Sequence, residues 1–207
     1  ISAEELLKVA KEQRLNTYAT IKEQGVDFVP TGTFSLYDHV LDMSNTLGII
    51  PEAYAKSGLS QLDTYFAMAR GHQKGGVDLP ATEMKKWFDS NYHYLVPEFS
   101  EKSEFKLNDN KPVDDFIEAK EAGYNARPVI LGPLTLLWLG KTSKDAQDPN
   151  FNRYSLLPKL AQTYVQLFEK LAAAGAPWVQ LDEPILVVDT AKQLSNDFKQ
   201  TYELIHK

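Results

Sequence analysis

The sequence predicts an α/β fold built on parallel strands, and three observations carry that prediction. Three stretches with helical apolar spacing are each stopped by a glycine and followed within a few residues by a short apolar run. The second of those runs is near-continuous in apolar residues, the pattern of a strand covered on both faces. Each run also ends in polar or turn-forming residues, which is where α/β folds place functional groups.

The first unit opens on residues 2–24, where Leu6, Leu7, Ala10, Leu15, Tyr18, Ala19 and Ile21 lie close to helical spacing. Ser2 is a natural N-cap and Glu5, three residues on, completes a capping box. Gly25 stops the helix, and the β-branched and aromatic run 26–30 reads as a strand. The second unit is a helix over 112–122, a stop at Gly123 and a strand over 128–133. The third is a long helix over 156–174, a stop at Gly175 and a strand over 178–184.

Between the first two units, 37–47 and 59–70 are expected to be helical, Gly75-Gly76 breaks the pattern, 84–96 reads as strand plus loop, and 102–109 as a hairpin arm. The strand ends carry Thr31-Gly32-Thr33, Gly132-Pro133-Leu134-Thr135 and Asp182-Glu183-Pro184. A βα barrel and a doubly wound sheet both fit this arrangement.

Composition narrows the function. With 43% hydrophobic and 24% charged residues, the 207-residue chain is expected to fold as a single domain over 1–207. The balance of 22 Lys and Arg against 28 Asp and Glu, without a block of five like charges, speaks against nucleic-acid binding. No apolar run approaches the ~18 residues of a membrane span, and 1–11 is an amphipathic charged segment, so neither membrane nor signal peptide is expected and a cytoplasmic location is. Absence of cysteine removes disulfides, thiolate zinc sites and cysteine nucleophiles. The histidines at 39, 72, 93 and 206 lack metal-ligand spacing, so no metal is expected in this chain.

Two groups of residues suggest chemistry. Asp182 and Glu183 are adjacent acids at a strand end, which raises a glycosidase reading; strand alternation opposes it, turning Asp182 inward with Gln180 and leaving Glu183 on the other side or the rim. The stretch from Lys85 to Tyr94 combines Trp87, Phe88, Tyr92 and Tyr94 with Lys85, Lys86, Asp89 and Asn91, a mixture suited to an anionic ligand bearing a flat ring. Phe34, Tyr37, Asp38 and His39 form a further aromatic-polar group, read first as core and capping at a helix start.

The run Lys86-Trp87-Phe88-Asp89-Ser90-Asn91-Tyr92-His93-Tyr94-Leu95-Val96-Pro97-Glu98 closely resembles a stretch in the amino-terminal domain of the cobalamin-independent methionine synthase family. The resemblance continues through Thr33-Phe34, Tyr37 to Leu41, Met68 to Gly71, Pro128 to Leu139 and Trp178 to Pro184, covering essentially the whole chain. It implies a two-barrel methyltransferase in which 5-methyltetrahydropteroyltriglutamate lies between the barrels while zinc and homocysteine sit in the second. Cobalamin takes no part.

On that resemblance 1–207 is a partial βα barrel, its first and last strands outside the chain, with open edges inviting self-association. It would be inactive alone and hold no catalytic residue. The family's folate-tail lysine falls on Lys86, and the expected substrate-binding residues are Lys86, Asp89, Asn91, Tyr92 and Asp182. Lys85 stands where the family commonly has a neutral residue. The alternatives are a non-catalytic folate-binding paralogue and a barrel glycosidase using Asp182 and Glu183.

Overall fold

A computed structural model describes residues 1–206. Helix α1 (Ala3–Glu23) starts as its sequence dictates: Ser2 Oγ accepts from the Glu5 amide at 3.1 Å, and the Glu5 carboxylate accepts from the Ser2 amide at 2.8 Å. Gly25 ends it at φ +84. Strand β1 (Val29–Thr31) begins later than the apolar run suggested, because its pairing starts only where the Val29 amide meets the Asn125 carbonyl at 2.8 Å.

A helical excursion follows, with α2 (His39–Thr46), α3 (Glu52–Ala55) and α4 (Gln61–Arg70). Two hairpins come next. β2 (His72–Lys74) and β3 (Val77–Leu79) are joined through Gly75-Gly76, both at positive φ as a tight two-residue turn requires. β4 (Met84–Lys86) pairs antiparallel with β5 (His93–Leu95), so 84–96 is two strands rather than one.

The chain then passes through β6 (Glu98–Phe99), α5 (Lys111–Glu121), β7 (Ala126–Leu131), α6 (Pro133–Leu139) and β8 (Lys141–Thr142). A 3-10 turn, Arg153–Leu156, leads into α7 (Leu157–Ala174); β9 (Gln180–Asp182) follows, then two more 3-10 turns, Pro184–Val187 and Asp189–Leu194, and α8 (Ser195–Ile205).

The three strands predicted from the helix-glycine-strand units form one sheet, in the order β1-β7-β9, all parallel. The three strands keep their chain order across the sheet, with the helical excursion and hairpins inserted between β1 and β7, and pair with Val29 opposite Ala126 and Leu131 opposite Asp182. Helices α5 and α7 supply much of the core, through Phe116 and Ala119 and through the stripe Leu160, Tyr164, Leu167 and Leu171. The buried Tyr164 hydroxyl donates to the Leu131 carbonyl at 2.6 Å, tying α7 to the end of β7. A smaller cluster of Leu41, Tyr54, Tyr65, Met68, Leu79 and Leu95 packs α2 and α4 against the hairpins.

The hairpin arm expected over 102–109 is not formed. That segment runs alongside the end of α2, its Lys106 and Asn108 amides donating to the Leu47 and Thr46 carbonyls at 3.1 and 2.9 Å. These are carbonyls that a helix end leaves without intrahelical partners. The Asp109 carboxylate then accepts from Asn45 and from the Thr46 hydroxyl, fixing the segment without a strand.

Candidate binding site

The carboxyl ends of β1, β7 and β9 open into a cleft of about 1060 Å³. Gly32 lines it at φ +81, with an added Cβ falling 2.8 Å from the Val129 carbonyl oxygen. Only glycine lets the backbone turn there so close to β7.

One wall of the cleft is held by Asp38, whose side chain is fully buried. Its carboxylate accepts from the Val40 and Leu41 amides at 3.2 and 2.9 Å, capping α2. It also accepts from the Leu95 amide and the Tyr92 hydroxyl, both at 2.9 Å, pinning the β4-β5 hairpin to that helix start. His39 Nδ1 lies 3.1 Å from the same hydroxyl, and its ring meets Trp87 edge-on with centroids 4.5 Å apart. Burial pulls the His39 pKa below its ordinary value, while the Asp38 and Asp182 carboxylates oppose that shift. Asp42 is raised by burial, against Lys111 and the Tyr65 hydroxyl that donates to it at 2.6 Å.

The hairpin tip separates the cleft from a second cavity. Beyond the Lys86–His93 pair, the Trp87 amide donates to the Tyr92 carbonyl at 2.7 Å and closes a turn through Phe88, Asp89, Ser90 and Asn91. Trp87, Ser90 and Tyr92 line the cleft. Lys86, Phe88 and Asp89 line the other cavity, about 680 Å³, together with Trp138, Lys141 and Arg153. Phe88 stacks on Trp138, with centroids 5.1 Å apart and planes 17° from parallel.

The candidates read from sequence are therefore divided. Tyr92 and Asp182 face the cleft, whereas Lys86 and Asp89 face the smaller cavity. Asn91 is exposed on the turn, its carbonyl 3.0 Å from His93 Nδ1. Lys86 is exposed as well, not sealed in packing. Lys141 and Arg153, contributed by β8 and the turn before α7, were absent from the sequence reading because no local motif marks either one; only the fold brings them beside the hairpin.

At the end of β9, Asp182 Oδ1 accepts from Gln180 Nε2 at 2.7 Å, so the two side chains share a side as strand alternation requires. Glu183 is not a free rim residue. Its carboxylate accepts from the Leu134 amide at 3.1 Å, the Thr135 amide at 2.7 Å, the Thr135 hydroxyl at 2.6 Å and the Tyr202 hydroxyl at 3.1 Å. It caps α6, whose own N-cap is Gly132 and lacks a side chain to do so. Burial raises the Glu183 pKa and these donors lower it again, the burial effect being the larger. Four donors occupy about as many acceptor positions as a carboxylate offers. Glu183 is thus committed to structure, and a sugar-cleaving pair is not assembled.

Comparison with known proteins places this chain in a family. The family model described as the N-terminal domain of cobalamin-independent synthase matches residues 1–207. The chain is 50% identical to the probable 5-methyltetrahydropteroyltriglutamate–homocysteine methyltransferase of Schizosaccharomyces pombe, covering 100% of the chain and 27% of that protein. It is 48% identical to the Saccharomyces cerevisiae enzyme named for the same activity, over 98% of the chain and 27% of the relative. For the Chelativorans enzyme the identity is 46%, over 97% of the chain and again 27% of the relative. The chain thus spans about a quarter of the length of these relatives. These matches show that the chain belongs to the cobalamin-independent synthase family and corresponds to its N-terminal domain.

Proposed function

We propose that this chain is the folate-tail-binding part of a methyltransferase that moves the methyl group of 5-methyltetrahydropteroyltriglutamate to homocysteine, giving methionine. Relatives at 46 to 50% identity carry that pair of substrates in their names. The observation that carries the reading to particular atoms is the Lys86 ammonium, exposed on β4 beside a basic cavity and without an acidic partner within 4 Å among the described residues. A glutamyl tail is a chain of carboxylates ionised at neutral pH. A cation on an exposed strand attracts such a chain for about 1 kcal/mol or less per contact, and for more where the pair is desolvated.

Under this reading the sheet β1-β7-β9 is one wall of a βα barrel, the domain spans 1–207, and strands from elsewhere in the protein complete it. Left uncovered, the edges of β1 and β9 favour self-association. A cytoplasmic location belongs to the same proposal; no helix among the described residues is long and apolar enough to cross a membrane.

Methyl transfer to homocysteine requires a thiolate, and a zinc ion held elsewhere in the protein would supply the Lewis acidity that favours one. The residues present do not fit that metal. Cysteine is absent, and no group of three His, Asp or Glu among the described residues could hold an ion. Homocysteine and zinc are accordingly assigned to the remainder of the protein, and none of the chain's residues is given a step in methyl transfer. Tyr92, Asp89, Asn91 and Asp182 are proposed to shape the ground around the tail and the cleft mouth.

The test is Lys86→Ala in the full-length protein, titrated with methylfolate bearing one or three glutamates. Binding weakens, and the loss grows with the number of glutamates. Equal loss for both ligands rejects the tail as the group that Lys86 holds.

A further inference from the structure

We infer that Arg153 is the second cation of this anionic site and sets its preference for the longer glutamyl tail. The inference rests on the proposed function and goes beyond it by naming a residue from a different part of the fold.

Four basic side chains line the smaller cavity: Lys85, Lys86, Lys141 and Arg153. Two are already neutralised. Lys85 Nζ lies 3.4 Å from Glu83, and Lys141 Nζ lies 2.6 Å from Glu83 and 3.0 Å from Glu98. Lys86 and Arg153 have no carboxylate within 4.0 Å among the described residues, so the uncompensated positive charge belongs to them. Asp89 is the single acid of the lining, and it is exposed at the hairpin turn.

The Arg153 guanidinium is short of partners. Its Nε is shielded from solvent without an acceptor, and Nη2 makes only a long 3.4 Å bond to the Trp138 carbonyl. The group rests over the Tyr154 ring, 5.7 Å from its centroid. A half-buried guanidinium without a counter-charge is disfavoured relative to water, and an incoming carboxylate supplies both the charge and the acceptors. The planar fork of arginine fits a carboxylate with two parallel bonds, which an ammonium cannot do.

Lys86 and Arg153 enter the cavity from separate elements, β4 and the turn before α7. The stacked rings of Phe88 and Trp138 line the same cavity. Two positive charges held apart in one cavity suit successive carboxylates along an extended chain better than a single compact anion. Arg153 therefore meets a carboxylate beyond the one that Lys86 holds.

Dissociation constants for methylfolate with one and three glutamates are measured on full-length wild-type protein and on Arg153→Met, Arg153→Lys and Lys86→Met. Methionine preserves the apolar stem of the arginine; Arg153→Gln serves the same test if the methionine variant does not fold by circular dichroism. The inference expects wild type to favour the triglutamate and Arg153→Met to lose about tenfold on it, the equivalent of one charge-assisted contact, with about twofold or less on the monoglutamate. Arg153→Lys should recover part of the loss, and added salt should erode wild-type binding more than that of the variant. If Arg153→Met keeps the wild-type ratio of the two constants while Lys86→Met collapses it, the role of Arg153 is overturned and the tail reading stands. A wild-type protein indifferent to tail length overturns both.

Discussion

Glu183 and Thr135, 48 residues apart, are joined twice: one carboxylate oxygen accepts the Thr135 amide at 2.7 Å and the Thr135 hydroxyl at 2.6 Å. The pair binds the end of β9 to the first turn of α6, where the missing side chain of Gly132 would otherwise leave amides unpaired. Removing the carboxylate should therefore cost stability, not chemistry. Glu183→Ala strands two amides and two hydroxyls and is expected to lose about 2–4 kcal/mol, with Glu183→Gln losing about half as much. Urea denaturation reads both, and an alanine variant within about 0.5 kcal/mol of wild type would remove the cap from the account.

The crowding around that carboxylate gives a second expectation. A Cβ on Gly132 would lie 2.2 Å from Glu183 Cδ. Gly132→Ala must displace the carboxylate from the helix start, for a loss of about 1–3 kcal/mol. Because the clash and the cap share one side chain, Gly132→Ala should cost far less once residue 183 is alanine. A double-mutant cycle measures this, and simple additivity would show that the two residues do not interact.

Histidine 39 supplies a pH dependence. Burial, partly offset by Asp38 and Asp182, holds its folded-state pKa below the ordinary value of 6.5. An unfolded chain then takes up this proton before the folded chain does. Stability contributed by the neutral ring is complete above pH 6.5 and is lost as the pH falls through the folded pKa. His39→Gln should flatten the stability profile in that interval. Titration of the ring protons by NMR checks the premise directly, and a midpoint at or above 6.5 contradicts it.

Much of the frame was legible in the sequence because it rests on local rules. Ser2 and Glu5 announced the start of α1, and Gly25, Gly123 and Gly175 marked the helix stops that precede the three parallel strands. Asp38 was readable as a cap from its place before an apolar run, and its second duty, accepting from Leu95 and Tyr92, was not. Contacts made across the fold escaped throughout. Glu183 looked like a catalytic candidate because its capping partners lie almost fifty residues away. Residues 102–109 looked like a hairpin arm because alternation cannot tell a strand from an extended segment that follows a helix end. The division of the aromatic-basic run between two cavities follows from the turn at Phe88, which composition alone does not encode.

That turn carries the last prediction. Phe88 is the one non-glycine residue at positive φ among those described, at +49. A left-handed backbone costs a side-chain-bearing residue about 1 kcal/mol or more, whereas glycine adopts it freely. The ring offsets this by stacking on Trp138, an arrangement contributing about 0.5–1.5 kcal/mol beyond its buried area. Two substitutions separate the contributions. Phe88→Ala loses the stack and keeps the strained backbone, while Phe88→Gly loses the stack and relieves the strain. Glycine should therefore be the more stable variant by about 1 kcal/mol, the reverse of the order expected inside a helix or strand. Both should shift Trp138 fluorescence and weaken triglutamate binding, since the stacked rings line the cavity that Lys86 and Arg153 also line. Alanine more stable than glycine in urea denaturation would mean that this backbone stores no strain, and an unchanged triglutamate affinity would mean that the aromatic wall takes no part in holding the tail.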